Sequence, residues 1–410
     1  MVDPPKYDLY SDAFRAGTYT TFAAMREQDP ILRQTGLDGR SQIWFVTRYG
    51  DAMTVLLDDV RFVRDPVLAL TPDELEAFRA DMPDVVGFLD DHMLNKDGDD
   101  HRRLRRLVTK AFTPRMVERL RPRIQEIADE LVDAVAERGE MDLVDEFAFP
   151  LPVTVIAELL GVPAGDRDRF RVWSNAIVSP ALAAADLERF GVHIREFVAY
   201  LHDLFEHRRA RPRDDLVSGL IQAEEGGDTL SEQELFSMVS LLIVAGHETT
   251  VSLIGNAVSA LLQHPAELEE LKADPSLVPT ALDELLRFDG PVERALNRWA
   301  TADVELGGQT IRRGDTIIVI LGAADHDPAR FAEPDVLDLR REPEAKHLAF
   351  GRESHFCLGA PLARLETEIA LTTLLARLPG LRLTVAPEEL TWRPVPLFRS
   401  LVALPVAWDL

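Results

Sequence analysis

The sequence predicts a mainly α-helical protein with a small β-sheet region, organised around one long central helix. Helical periodicity is the dominant pattern along the 410 residues, whereas strand-like alternation is restricted to short segments near the N-terminus and in the last quarter. Hydrophobic residues make up 46% of the chain, which supports a large core and excludes a disordered or collagen-like chain. No linker or repeat divides residues 1–410, so we expect a single domain.

The individual elements follow from these patterns in chain order. Helices are predicted at 19–27, 101–112, 115–138, 166–179, 185–211, 231–263, 278–287 and 357–377. Strands are predicted at 43–47, 304–306, 316–320, 381–385 and 401–406. Because the strands are few and short, they can form only a minor sheet region beside the helices.

Charge and hydrophobic patterning exclude several classes of protein. Lys and Arg number 45 against 70 Asp and Glu, so the net charge is −25, which argues against a nucleic-acid partner that must be neutralised by basic residues. The first residues lack the basic and apolar segments of a secretion signal, so we expect a cytoplasmic location. The longest apolar run, 235–246, is shorter than the ~18–20 residues that cross a bilayer, so we expect a buried helix and no membrane association.

The centre of the long helix departs from its apolar pattern. Residues 245–250 read Ala-Gly-His-Glu-Thr-Thr inside a helix that is otherwise apolar on nearly every face. Thr249 can donate to the carbonyl of Ala245, and Gly246 lies beside it, so we predict a kink or widened groove. A satisfied polar turn is the alternative. A buried Glu248 without a partner is costly, which favours a functional role.

Cys357 is the only cysteine, so an internal disulfide and a Cys-rich zinc site are excluded. It lies between glycines, at the N-terminus of the predicted helix 357–377. A helix N-terminus lowers the pKa of a thiol, which favours a nucleophile or a metal ligand. An inert buried thiol is the alternative.

Two other catalytic classes can be tested against the sequence. A cysteine hydrolase needs a base, and although His355 is near Cys357, no further triad signature is present. The pair His247 and Glu248 resembles the start of the zinc-protease motif H-E-x-x-H, but position 251 is Val. The metalloprotease hypothesis therefore fails at its second ligand.

Four motifs in one order resemble those of a single family. They read HRRLR at 101–105, AGHETT at 245–250, ELLR at 284–287 and FGRESHFCLG at 350–359. Together they are similar to the motifs of cytochromes P450, the haem-thiolate monooxygenases, and in particular of the soluble bacterial type found in actinomycete secondary metabolism. The resemblance implies the cytochrome P450 fold, with the long central helix lying over haem b (iron protoporphyrin IX).

The resemblance also implies roles for individual residues. Cys357 would be the axial ligand of the haem iron, and Glu284 and Arg287 would form a buried ion pair. Oxygen orientation and proton relay are implied for Ala245, Gly246, Glu248 and Thr249. The resemblance implies that His101, Arg105, Arg298 and His355 bind the haem propionates. It also implies that Phe350, Gly351 and Gly359 of the cysteine loop contact the haem.

The implied reaction inserts one oxygen atom from O2 into a medium-to-large apolar substrate, such as a polyketide, macrolide, terpenoid or steroid. The pocket is expected to draw on segments 88–94, 173–183, 238–249, 292–296 and 397–398, including Leu94, Met238, Leu242, Val292, Leu296 and Phe398. Glu293 and Arg294 could instead contact a polar substrate group. Two alternatives remain, namely a non-hydroxylating haem protein that performs peroxygenation, isomerisation or oxidative coupling, and a haem-binding carrier or sensor without turnover.

No reductase or ferredoxin module is recognisable, so electrons are expected from a separate ferredoxin and its NAD(P)H-dependent ferredoxin reductase. A basic run after His101 is a candidate docking surface for an acidic ferredoxin. It comprises Arg102, Arg103, Arg106, Lys110, Arg115, Arg119, Arg121 and Arg123. Two positions depart from the family pattern, because Glu353 stands where glycine is usual and Val336 where many relatives carry an arginine that completes the Glu284–Arg287 network.

Overall fold

The computed structural model describes residues 5–36, 42–80, 91–167, 169–170, 172–173, 184–342 and 345–410. Helices dominate these residues. The α-helices are α1 Asp12–Ala16, α2 Thr18–Gln28, α3 Tyr49–Leu57, α4 Pro72–Ala80, α5 Gly98–Ala111, α6 Pro114–Arg119, α7 Arg121–Asp133, α8 Pro150–Leu159, α9 Ala184–Ala210, α10 Leu216–Gln222, α11 Glu232–Gln263, α12 Pro265–Ala273, α13 Val278–Asp289, α14 Leu321–Ala324 and α15 Ala360–Arg377.

The strands form small sheets at the periphery. They are β1 Ile31–Thr35, β2 Gln42–Val46, β3 Phe62–Val63, β4 Glu140–Asp142, β5 Glu224–Glu225, β6 Asp228–Thr229, β7 Arg298–Ala300, β8 Val304–Leu306, β9 Gln309–Ile311, β10 Thr316–Val319, β11 Arg382–Leu383 and β12 Pro405–Ala407. One sheet has the order β1-β2-β10-β7-β3, another has the order β11-β12-β4, and β5–β6 and β8–β9 are separate pairs. In the first sheet β10 runs parallel to β2, and β1 runs antiparallel to it.

Helix α11 lies at the centre of the largest hydrophobic cluster and packs against α8, α13 and α15. It begins with a capping box, in which Ser231 and Glu234 satisfy each other's backbone N–H groups. It ends at Gln263, because Pro265 cannot continue the helix. Its length and composition would suffice to cross a membrane, but 67% of its most apolar window is buried inside the protein. It is therefore a core helix.

The predicted elements agree with the structure in type more than in their limits. The segment 115–138 is divided into α6 and α7, with Pro122 in the first turn of the second helix. The last helix begins at Ala360 and not at Cys357, so the thiol lies in the preceding loop. The predicted helix 166–179 lies mostly outside the described residues. The sequence patterns missed α8, because its apolar residues are buried on nearly all faces and carry little periodicity.

Candidate active site

Cys357 lies in a tightly folded loop between α14 and α15. Its N–H donates to the Phe350 carbonyl over 2.9 Å, and Gly351 N–H donates to Leu348 O over 2.7 Å. Gly351 has φ +69°, a conformation that L side chains rarely adopt. Phe350 packs against a small buried cluster of Leu253, Leu286 and Ala349, which connects the loop with α11 and α13. The loop thereby holds one sulfur at a defined position.

The thiol has open surface, yet protein atoms surround it closely. Burial raises the pKa of Cys357 above its usual value, although backbone N–H groups of Gly359 and Ala360 and the charge of Arg105 act in the opposite direction. The backbone N–H groups at the helix N-terminus thus lower the pKa of the thiol as expected, but burial raises it by more. Without a metal the thiol is a poor nucleophile, which argues against a cysteine hydrolase.

Basic side chains from three parts of the chain, namely α5, β7 and the loop itself, converge beside Cys357. The His101 and His355 rings lie 4.3 Å apart, and His355 contacts the buried Asp97 carboxylate at 3.4 Å. Burial lowers the pKa of both imidazoles, that of His101 to about 4. Arg105 donates to the Phe356 carbonyl over 2.7 Å. Arg298 is 3% exposed and donates to the Phe62 carbonyl over 2.6 Å.

Sequence reasoning missed two members of this cluster, Arg64 and Asp97. Arg64 is buried, and its charge acts on His355 together with that of Arg298. Asp97 accepts from the backbone N–H groups of Arg64 and Asp65 at 2.6 and 2.7 Å. Neither residue belongs to a short motif, so only the folded chain reveals them. The cluster therefore holds more cations than carboxylates.

The middle of α11 exposes a narrow stripe, although residues 235–240 and 250–261 on either side of it are buried. Leu242, Ala245 and Thr249 follow helical spacing along one face and all have open surface, Ala245 the most. The Thr249 hydroxyl donates to the Ala245 carbonyl over 2.9 Å, as predicted from the sequence. The helix is nonetheless continuous from Glu232 to Gln263, so the predicted kink does not interrupt it.

Two residues expected at this groove face elsewhere. A Cβ on Gly246 would meet the side chain of Ile156 at 3.1 Å, so this glycine permits close packing of α11 against α8 and does not open the groove. Met238 is 0% exposed and packs in the hydrophobic core. It presents no surface to a ligand in this structure.

Glu248 is 1% exposed and pairs with Arg393, which the sequence did not suggest. Burial raises the pKa of this carboxyl group, and the Arg393 charge opposes that rise. His247 beside it is also buried, with its pKa lowered to about 4 by burial. Its Nδ1 lies 2.7 Å from the Ile243 carbonyl. The Glu248 carboxylate is thus paired with one cation, Arg393, which is far away in sequence but in contact with it in the fold.

Glu284 and Arg287 form the predicted ion pair, with two contacts of 2.7 and 2.8 Å. Arg341 completes the network through Nε, which lies 3.1 Å from both Glu284 oxygens. Val336 contributes only its carbonyl, which accepts from Arg341 over 2.8 Å. The network is therefore complete although position 336 is a valine, because Arg341 supplies the charge that an arginine at position 336 would give.

The pocket residues predicted near the C-terminus lie together. Val292 and Phe398 form an isolated β-bridge, and Leu296 is 37% exposed, whereas Leu94 is half-buried. Most of the expected segments 88–94 and 173–183 lie outside the described residues. Glu293 and Arg294 are buried, and Glu293 pairs with Arg15 at 2.9 Å, so they are not available to a polar substrate group.

The predicted basic run does not form one surface. Arg103 pairs with Glu234, Arg121 with Glu118 and Glu368, and Arg123 with Glu158. The remaining cations of α5 border an open groove of about 740 Å³ next to the cysteine loop. Its lining residues are His101, Arg102, Arg105, Arg106, Thr109, Lys110, Glu353 and Ser354.

These features suit one kind of prosthetic group. Among the described residues no His, Cys, Asp or Glu cluster could hold a metal ion, so a metal at Cys357 must bring its own equatorial ligands. Buried Arg298 and half-buried Arg105 lie beside the cysteine loop with His101 and His355, and two propionates are anions that match these side chains. Haem b satisfies both conditions. The fold and the site thus define a haem-thiolate protein.

Comparison with known proteins gives the family. The cytochrome P450 family profile matches residues 186–382. The polyketide biosynthesis cytochrome P450 PksS of Bacillus subtilis is 43% identical over 96% of each chain, and its solved structure superimposes with a TM-score of 0.91 over 98% of this chain and 100% of that one.

Two further relatives are similar over nearly their whole length. The cytochrome P450 monooxygenase PikC of Streptomyces venezuelae is 44% identical over 99% of this chain and 95% of its own. The structure of myxobacterial CYP267B1 in complex with myristic acid has a TM-score of 0.90 at 45% identity, covering 98% and 99% of the two chains. The chain belongs to the cytochrome P450 family, and it is a monooxygenase that uses haem b and O2.

Proposed function

We propose that this protein is a cytoplasmic cytochrome P450 whose residues 1–410 form one haem domain, and that it oxygenates a large apolar metabolite of the polyketide or macrolide type. Cys357 binds the iron, while His101, Arg105, Arg298 and His355 bind the propionates. The observation that carries the proposal is a lone thiol with open surface beside Arg105, Arg298 and two histidine side chains.

When bound, haem activates O2 for transfer of one oxygen atom to the substrate. The protein's own groups do the remaining work. The Thr249 hydroxyl, fixed to the Ala245 carbonyl, faces the groove and passes a proton toward it. Glu248 is the buried acid that supplies this proton, and the apolar neighbours of the groove exclude bulk water.

The substrate class follows from the side chains available to it. Leu242, Ala245, Leu296 and Phe398 offer apolar surface, and Glu293 is engaged by Arg15. Relatives named as PksS and mycinamicin IV hydroxylase/epoxidase, and 6-deoxyerythronolide B hydroxylase, support a polyketide or macrolide substrate. A terpenoid or steroid fits the same lining less specifically.

Electrons are proposed to arrive from an acidic ferredoxin, itself reduced by an NAD(P)H-dependent ferredoxin reductase. The groove beside the cysteine loop contains Arg102, Arg105, Arg106 and Lys110 on a chain whose net charge is −25. Such a local reversal of charge steers an anionic partner and raises its association rate. Docking here would bring the donor next to the loop that carries Cys357.

The first test is the carbon monoxide difference spectrum of the dithionite-reduced protein. Wild type is expected to give the red-shifted band of thiolate ligation, and Cys357→Ser is expected to lose it. Ser252→Ala on α11 is the matched control, because its hydroxyl only donates to the Glu248 carbonyl within the helix. Absence of haem, or an unshifted band in wild type, would overturn the proposal.

A second test addresses the substrate by absorbance titration of the oxidised protein with a macrolactone, a sterol, myristic acid and methyl myristate. The macrolactone is expected to bind most tightly. Since Glu293 pairs with Arg15 and Arg294 pairs with Glu293, these charges are not available to a fatty-acid carboxylate, and methyl myristate should bind at least as well as the acid. Clear preference for the acid would contradict the apolar pocket.

A further inference from the structure

The buried acid of α11 is controlled from a different part of the chain. Glu248 and Arg393 are 145 residues apart in sequence, and the Arg393 side chain is 30% exposed while that of Glu248 is 2% exposed. The ion pair therefore lies between the protein interior and a partly open surface. Of the described residues, Arg393 is the only charged group that acts on the pKa of Glu248.

Arg393 belongs to a hairpin that we define as residues 391–402. Arg393 N–H donates to Ser400 O over 2.8 Å, Val402 N–H donates to Thr391 O over 2.9 Å, and Trp392 forms a bridge with Leu401. The Arg399 guanidinium lies 3.6 Å from the centre of the Trp392 ring. These contacts join the two arms of the hairpin, and Arg393 belongs to the first arm.

The tip of the same hairpin borders the expected substrate pocket. Phe398 bridges Val292, and Glu293 N–H donates to Leu397 O over 3.0 Å. Arg15 holds the outer side of the tip through the Val395 carbonyl at 2.8 Å. One short element therefore touches the pocket at its tip and the catalytic acid at its base.

We propose that Arg393 is a positioning residue for proton delivery, which holds the Glu248 carboxylate toward the hairpin until a ligand contacting Phe398 displaces the hairpin and releases the acid toward Thr249. This inference rests on the proposed function of Glu248 as proton donor. Only a proton moves in this step. It enters from water at the exposed side of Arg393, is taken up by the Glu248 carboxylate and leaves toward Thr249 Oγ1, while the guanidinium stays charged.

The structure explains why this restraint is useful. Burial alone would keep Glu248 protonated, because a buried carboxyl group without a cation favours its neutral form. A proton would then be available at the groove before any substrate had bound, and O2 would be reduced to hydrogen peroxide. Pairing with Arg393 favours the ionised carboxylate and so opposes this early release of a proton.

The first measurement needs neither substrate nor ferredoxin. Haem-loaded wild type, Arg393→Lys and Arg393→Met are reduced with dithionite and mixed with air-saturated buffer, and reoxidation and peroxide are followed. Arg393→Met is expected to reoxidise about tenfold faster, the effect of one pKa unit, and Arg393→Lys to remain near wild type. Arg393→Met/Glu248→Gln should return to the slow rate. Arg382→Met, which removes an exposed pair with Asp409, is the control.

The link to the pocket is tested with Phe398→Ala. In the wild-type background it is expected to accelerate reoxidation, because it loosens the tip of the hairpin. In the Arg393→Met background it should add nothing, since the acid is already released. Equal acceleration in both backgrounds would show that Phe398 acts independently of Arg393 and would overturn the proposal.

The pH dependence of stability gives a readout that does not involve turnover. A carboxyl group whose pKa is higher in the folded than in the unfolded state loses stabilising effect as pH rises through its folded value. Arg393→Met should therefore lose more stability than wild type between about pH 5 and pH 8, and adding Glu248→Gln should abolish the difference. His247, with a pKa of about 4, stays neutral over this range. Burial raises the pKa of Glu366 of α15, which faces Thr250, well above its usual value, and Glu366 is unchanged in all of these variants.

The outcomes separate the two levels of inference. If wild type lacks the carbon monoxide band of thiolate ligation, the proposed function fails before Arg393 is tested. If the band is present but Arg393→Met reoxidises and unfolds like wild type at every pH, the positioning role of Arg393 is refuted. Faster reoxidation of Arg393→Met that persists when Glu248 is replaced by Gln would also refute it.

Discussion

The cysteine loop and the centre of α11 are built in opposite ways. The loop is fixed by backbone hydrogen bonds, by Gly351 at positive φ and by the nearby network of Glu284, Arg287 and Arg341. The centre of α11 leaves Ala245 and Thr249 with open surface and holds its acid with a single cation. A metal ligand must not move, whereas a proton donor must. The distribution of contacts matches that difference in task.

The largest expected effect comes from removing Arg287 from the ion-pair network near the cysteine loop. Arg287→Met removes both contacts to the 5%-exposed Glu284, and removing one partner of a buried pair typically costs about 3–5 kcal/mol. We expect loss of folding or of haem binding, measured as the urea midpoint and the haem-to-protein absorbance ratio. Arg382→Met should change stability by less than about 1 kcal/mol, because its partner is exposed. Equal effects of the two variants would contradict the comparison.

Residues in contiguous motifs could be predicted from the sequence, whereas their partners from distant segments could not. Cys357, the Glu284–Arg287 pair and the Glu248–Thr249 pair lie in contiguous motifs, so their identities are readable before the fold is known. Partners that reach them from distant segments are not readable. Arg393 is 145 residues from its partner Glu248, and Arg341 is 57 residues from its partner Glu284. No local sequence pattern predicts either contact.

The direction in which a helical side chain faces is a second limit of sequence reasoning. Gly246 belongs to the same motif as Ala245, yet it packs against Ile156. Met238 has the composition of a pocket residue but lies in the core. Similarly, the basic run appeared continuous in sequence, whereas Arg103, Arg121 and Arg123 are engaged by carboxylates from other elements. Tertiary packing decides these cases.

A smaller effect is expected on the outer face of the cysteine loop. Reversing Arg102 and Arg106 to Glu should slow reduction by an acidic ferredoxin about tenfold at low salt, and the difference should shrink as salt rises. The rate is measured by stopped flow with carbon monoxide as trap. Arg115→Glu/Arg119→Glu is the charge-matched control, since those exposed residues do not line the groove. Unchanged reduction at low salt would exclude the groove as the docking site.

The smallest expected effect separates backbone from charge at Glu353. This residue has φ +48°, so it occupies the left-handed conformation that the usual glycine adopts without strain. Glu353→Gly should stabilise the protein by about 1 kcal/mol, whereas Glu353→Gln keeps the strain and should leave stability unchanged.

Both variants remove the only carboxylate among the residues that line the basic groove. Both should therefore speed reduction by an acidic ferredoxin at low salt to the same extent, with Gly alone raising the urea midpoint. Faster reduction only with Gly would assign the effect to loop geometry, and the charge of Glu353 would then play no part in docking. If neither variant changes the rate, the donor does not approach this part of the loop.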